Sequence, residues 1–288
     1  MSYLFLFVAP ILSAIKVVSQ GRYAKKNVNN LSDVLLFNAV VFFATALILA
    51  LLFVRAIPPI EVFLFASLTS VFTVAFQVCY TLAFKSGPIA PTVIICNFNI
   101  VITLLVGLIF FGEKWSIFTF VGLAFMAVAF FLIPAKSGEN KVNLKWVLFT
   151  CLAFLSTGLI NVVSLLFARS EYRAWKSTYL SIAFLFACVL ALLILLVNVK
   201  VKKQPLQMKI NLNLPLTALI IAGALGLFNL FNIYALQYFE SYIALPVISG
   251  LGIVTATVLN FFVNKEKISK RMMIGVLFAI ISIVLLNL

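Results

Sequence analysis

Lys16 is the only charged residue well inside an apolar run of this chain. An ammonium at that depth has two uses. Its stem can carry the charge back to the nearer interface, beside Arg22 and Lys25, or the charge can stay within the fold as an anchor for a carboxylate or phosphate. The other candidates are amides and phenols within the apolar runs: Asn38, Gln77, Tyr80, Asn97, Asn99, Asn161, Asn229, Asn232 and Tyr234, with Ser164, Ser249 and Asn260 beside them. An unpaired polar group in hydrocarbon is costly, so each must face a neighbour or a cavity. Interhelical hydrogen bonds worth about 0.6 kcal/mol apiece would satisfy any one of them; taken together they fit a shared polar cavity. Gln77 and Tyr80 are three apart and share a helix face, as do Asn229 and Asn232.

The missing residue types narrow the chemistry. The chain has no His, and its seven acids (Asp33, Glu61, Glu113, Glu139, Glu171, Glu240 and Glu266) fall at helix ends or loops. Acid–base or metal-assisted catalysis needs a deep carboxylate pair or imidazole, so an enzyme is disfavoured and no metal or cofactor is expected. Proton exchange against a cationic drug also needs a carboxylate in the membrane. A zwitterionic or anionic small molecule, such as an amino acid, fits Lys16 and the amides better, and a neutral or aromatic solute stays open. Cys79, Cys96, Cys151 and Cys188 lie in apolar runs without paired spacing, which points to packing.

The elements that carry these residues belong to a bilayer. Of 288 residues 65% are hydrophobic and 10% charged, with thirty Phe, far above the apolar content of a soluble domain. Ten runs are long enough to span: 3–21, 33–54, 60–84, 88–111, 116–134, 146–168, 176–198, 214–236, 242–263 and 270–288. Pro58-Pro59, Gly87-Pro88 and the loop around Pro205 punctuate them. No basic region precedes the first run, so it is expected to remain as a helix rather than be cleaved. The net charge of +14 sits almost wholly in short loops, as a topology signal and not a nucleic-acid surface. Odd-numbered loops hold fifteen Lys and Arg and even-numbered loops five, which puts both termini outside a cytoplasmic membrane.

The chain also repeats itself. Gly112-Glu113-Lys114-Trp115-Ser116 returns as Lys265-Glu266-Lys267-Ile268-Ser269 at an offset of 153, with Gly122 on Gly275 and Phe125 on Phe278. At an offset of 154, the stretch from Tyr80 meets that from Tyr234 with five identities in fourteen. Two halves, 1–135 and 136–288, of five helices each would enter the membrane from opposite faces as an inverted repeat. Glu113 and Glu266 would then lie on opposite faces, so Glu-Lys-x-Ser reads as a turn, with Ser116 and Ser269 placed to cap the next helix. Pro10, Pro91, Pro246 and Gly250-Leu251-Gly252 are candidate kinks or loosened turns.

This pattern, with "FFGEKWS" after the fourth run and "VNKEKIS" after the ninth, resembles the EamA-like ten-helix branch of the drug/metabolite transporter superfamily. The resemblance covers the whole chain and implies an all-α integral membrane fold and secondary transport by alternating access. It implies a small-molecule substrate, lipid surroundings and no need for an oligomer. A lipid or lipid-linked-substrate flippase and efflux of neutral or aromatic drug-like compounds are the alternatives on the same fold. The chain departs from the family's habits in three ways. Pro10 stands where the family often has an aromatic, Asn99-Ile100 where it usually has a mid-helix proline, and the loop charges put the termini opposite to the family's usual side.

Overall fold

Eleven α-helices and one 3-10 turn account for the secondary structure of the computed structural model, which describes residues 2–53, 58–111, 116–132, 143–208, 213–239, 241–264 and 270–285. They are α1 (Ser2–Asn27), α2 (Leu31–Phe53), α3 (Ile60–Ser86), α4 (Ile89–Asn97), α5 (Ile100–Phe111), α6 (Ile117–Leu132), α7 (Leu144–Arg169), the 3-10 turn Glu171–Trp175, α8 (Lys176–Lys200), α9 (Asn213–Tyr238), α10 (Ser241–Asn264) and α11 (Lys270–Leu285). Six stretches among the described residues are long and apolar enough to cross a membrane, the last lying within α9: Phe5–Asn27, Leu31–Leu52, Ile60–Ser86, Leu144–Arg169, Glu171–Lys200 and Leu214–Tyr238.

Local chemistry sets the boundaries. Pro59 precedes α3 in an extended conformation and Gly87 ends it. The Asn143 side chain accepts from Lys145 N and opens α7, and the Ser170 hydroxyl does the same for the 3-10 turn through Tyr172 N. Ser116 caps α6 as its sequence position suggests, accepting from Phe118 N at 3.2 Å. Glu113, Lys114 and the whole Lys265–Ser269 stretch lie outside the described residues, as do the side chains of Pro246 and Asn260.

The fourth apolar run differs from expectation. One helix was expected over 88–111, but the chain breaks between α4 and α5. Phe98 N and Asn99 N bond carbonyls only three residues back, Ile95 O and Cys96 O, and Val101 N and Ile102 N repeat that tight pattern. The asparagines drive the change, because a short amide competes for nearby backbone groups. Asn97 Nδ2 donates to Val93 O at 2.9 Å and Asn99 Nδ2 to Cys96 O at 2.7 Å. The ninth run, where glycines could have loosened a turn, continues unbroken through Gly250 and Gly252 as α10.

Large apolar side chains lie both inside the bundle and on its rim. Phe37, Phe42, Phe84, Phe98, Phe167 and Tyr179 are fully buried, while Leu51, Leu64, Leu152, Leu196 and Leu219 point outward. Polar groups turn inward instead: Asn38, Gln77, Thr81 and Asn198 are buried. That inverted distribution is what hydrocarbon as a solvent requires.

Packing pairs the first half of the chain with the second. α2 lies on α8 and α6 on α11; α1 lies on α9 as α7 lies on α3; α1 lies on α10 as α7 lies on α4 and α5; and α3 lies on α8 as α9 lies on α2. Because Phe5 meets Tyr234 and Tyr238 while Tyr23 meets Met208, α1 runs antiparallel to α9. Those contacts define two ends of the bundle.

Candidate functional site

Between the two ends lies a cavity of about 100 Å³, room for several waters at about 10–15 Å³ each. Its walls are helical stripes with the three-and-four spacing of one helix face. α1 contributes Ser13, Lys16 and Val17; α3 contributes Thr69, Thr73, Phe76, Gln77 and Tyr80. α7 contributes Thr157, Ile160, Asn161 and Ser164, and α9 contributes Leu225, Phe228, Asn229 and Asn232. Leu180, Ala183 and Phe184 of α8 and Ile248 and Ser249 of α10 complete the wall with Cys96, Asn97 and Asn99 at the α4–α5 break.

Lys16 is 5% exposed. Its ammonium does not run to the interface but stands 4.9 Å from the centroids of both Phe76 and Tyr80. A desolvated cation gains about 2 kcal/mol from such a ring face, which offsets only part of the cost of taking an ammonium from water. No Asp or Glu lies among the described residues of the wall, so the charge meets no carboxylate there.

The break between α4 and α5 aims its amides at α7. Asn161 Nδ2 donates to Asn99 Oδ1 in a short hydrogen bond, while Asn99's own Nδ2 is spent on Cys96 O. Across the cavity Asn229 is tied to its helix through Leu225 O at 2.8 Å. Asn232 is 6% exposed and its carbonyl oxygen has no partner, so an unmet acceptor is buried in the wall. Thr69 bonds the Tyr179 hydroxyl at 2.6 Å behind the stripe, and Tyr179 stacks on Phe167 with centroids 4.1 Å apart.

Eight of the ten residues singled out from the sequence meet at this cavity: Lys16, Gln77, Tyr80, Asn97, Asn99, Asn161, Asn229 and Asn232. Two do not. Asn38 lies in a polar layer outside the cavity, donating to Thr81 Oγ1 and Gln77 O at 3.3 and 3.4 Å. Gln20 completes that layer with 2.9 Å bonds to Gln77 Oε1 and Thr81 Oγ1. Tyr234 lies at the Phe5 end, stacked on Phe5 with centroids 5.0 Å apart. Sequence reading passed over Ser13, Thr69, Thr73, Thr157 and the ring of Phe76. The signal was available, since Thr69 and Thr73 stand eight and four residues before Gln77 on the same face.

Hydrogen bonds close the end near Tyr23. Buried Asp33 accepts from the backbone N–H groups of Asn29, Gln207 and Met208, each at 2.9 Å. Ser32 Oγ donates to Gln204 O at 2.7 Å and Asn30 Nδ2 to Pro205 O at 2.8 Å. Asn198 Nδ2 reaches Ser32 Oγ at 2.8 Å. Residues 204–208 are thereby fastened over the α1–α2 corner.

An apolar-rimmed helix bundle around a polar cavity, with several helices able to span a bilayer, is a multi-pass membrane protein. The EamA-like transporter family profile matches residues 144–288, and the chain belongs to the EamA-like transporter family, within the drug/metabolite transporter superfamily. A solved structure described only as "Crystal structure of protein" is similar along its whole length. It covers 100% of this chain and 98% of its own, with 13% identity and a TM-score of 0.67, a likeness of fold. No curated protein matches the chain. The family is one of membrane transporters of small molecules.

Proposed function

We propose that the chain is a secondary transporter of a small organic metabolite bearing a carboxylate or other anionic group, zwitterions such as amino acids included, and that it works by alternating access. The observation that carries this reading is Lys16: a buried ammonium over Phe76 and Tyr80 in a wall with no acid among its described residues. An incoming anion would supply the counter-charge that the protein withholds, while Asn161, Asn229 and Asn232 read the rest of the solute by hydrogen bonds.

In this reading residues 1–135 and 136–288 are inverted five-helix repeats making ten spans of a cytoplasmic membrane. The exchange symmetry of the helix packing supports it. The loop charges favour both termini outside, the end fastened at Asp33 then facing the cytoplasm. The two halves rock about the cavity, which needs neither a cofactor nor an oligomer. The cavity's size suits a metabolite better than a lipid headgroup with its chains, and its rings leave drug-like aromatic solutes as the competing cargo.

The test uses the purified full chain. A metabolite panel is screened for ligand-induced thermal stabilisation, and the hits are assayed for uptake into proteoliposomes beside Lys16→Met. Stabilisation by anionic or zwitterionic compounds, lost in the variant together with uptake, is expected. Normal uptake by Lys16→Met, or transport of cations alone, would sink the proposal.

A further inference from the structure

Lys176 stands outside the cavity but on its continuation. α8 presents Leu180, Ala183 and Phe184 to the cavity, and Lys176 lies one turn before Leu180 on that same face, toward the end that holds Phe5. Its ammonium sits 4.0 Å from the centroid of Tyr234 and donates to Gln237 Oε1 at 2.9 Å. Gln237 is itself oriented by Arg173 O at 3.0 Å. Tyr234 is the residue that the sequence repeat sets against Tyr80, and Tyr80 carries Lys16. Two lysines from different helices therefore rest on repeat-related tyrosines, one inside the cavity and one at its end. Neighbours in sequence do not impose this, since laying Arg22 on Arg169 sets Val163 and not a lysine against Lys16.

Lys176 has capacity to spare. An ammonium has three N–H donors, and the Gln237 bond uses one. No carboxylate stands among the partners that the described residues give it. A cation in the first turn of a helix also works against the macrodipole, so the stability of α8 does not explain the choice of residue.

We propose that Lys176 is a second anion station, docking the anionic group of the solute at the Phe5 end on its way to or from Lys16. The inference rests on the transport reading above and adds a site to it. The arriving group takes the free donors of Lys176 beside the Tyr234 ring, and the solute then passes Leu180 along the α8 face to reach Lys16. The same chemistry would also hold an anionic lipid headgroup, so the experiment separates the two sources.

The full chain is reconstituted in vesicles of phosphatidylcholine alone and of phosphatidylcholine with phosphatidylglycerol, and uptake of radiolabelled L-phenylalanine, L-glutamate and succinate is measured. For whichever of these wild type carries, Lys176→Gln is expected to raise KM about fivefold at low salt in both vesicles. The maximal rate should stay within about twofold of wild type, and the thermal midpoint should not move. Lys176→Arg restores KM, and high salt shrinks the difference by screening. An unchanged KM in Lys176→Gln, with uptake abolished in Lys16→Met, overturns the station and leaves the transport reading standing. A lowered thermal midpoint with unchanged KM makes Lys176 a staple between α8 and α9, and an effect seen only with phosphatidylglycerol gives it to a lipid; both overturn the proposal. If wild type carries none of the three, the anionic hits of the thermal-stabilisation panel replace them as probes, and a panel without such a hit overturns the anionic-solute reading and the station with it.

Discussion

Phe125 and Phe278 stand 153 positions apart in the chain and stack in the fold, with ring centroids 5.2 Å apart and planes 27° apart. They occupy matching places in the sequence repeat, on α6 and α11. Beside them the Ser282 hydroxyl donates to Gly122 O at 2.6 Å. Repeat mates that touch each other lie near the axis that would relate the two halves, so this pair marks where the proposed pseudo-twofold would pass. A double-mutant cycle of Phe125→Leu and Phe278→Leu, followed by denaturant unfolding in detergent, should return a coupling of about 0.5–1.5 kcal/mol. Strict additivity would mean that the rings are neighbours without interaction.

How far the sequence foretold these arrangements depended on the quantity asked for. Helix extents were legible because Pro58-Pro59 and Gly87-Pro88 stop helices by backbone chemistry wherever they fall. α1 is one exception beside the divided fourth run: its apolar run ends at 21 but the helix continues to Asn27. Hydropathy falls at 21, whereas Tyr23 and Ala24 are buried and Lys25 and Lys26 suit a helix C-terminus. Depth of polar residues was also legible. Direction around the helix was not, which is why Asn38 and Tyr234 were grouped with a cavity they do not line. The break at Phe98-Asn99 was hidden because hydropathy does not register an amide's competition for backbone carbonyls.

That break supports a second prediction. Asn99 offers its oxygen to Asn161 and its Nδ2 to Cys96 O, so Asn99→Ala strands a donor on α7 and leaves Cys96 O only its longer bond from Asn99 N at 3.2 Å. Leaving that donor unmet costs about 1–3 kcal/mol. The variant should lower the thermal midpoint and reduce uptake, whereas Asn161→Ala should cost less because Asn99 keeps its backbone bond. Equal losses in both would show that the Asn99–Cys96 bond contributes nothing to holding the break.

Asp33 gives a third. Its carboxylate collects three backbone N–H groups, two of them from the segment over the α1–α2 corner. Asp33→Ala removes the two carboxylate oxygens that serve all three donors and should destabilise the fold by about 3–5 kcal/mol, since each buried N–H left unmet costs about 1–3 kcal/mol. Asp33→Asn keeps one acceptor oxygen and should lose less. In both variants a cysteine placed at Gln204 should react faster with a maleimide than in the parent. Unaltered labelling would mean that the bonds from Asn30 and Ser32 hold the segment without Asp33.

Gly158 tests whether α5 and α7 must approach closely for the cavity to form. A Cβ built on Gly158 would collide with the side chain of Ile102 on α5, one turn from the Asn99 that Asn161 holds. Asn161 itself lies three residues beyond Gly158, so any retreat of α5 from α7 pulls directly on the Asn161–Asn99 bond. Gly158→Ala should therefore cost about 1–3 kcal/mol by overpacking and should reduce uptake by more than the loss of folded protein explains. Adding Ile102→Ala makes room for the new methyl group and should recover both stability and transport. If Gly158→Ala reduces uptake only as far as the loss of folded protein explains, the close approach serves packing alone, and the Asn161–Asn99 link does not couple this contact to the cavity.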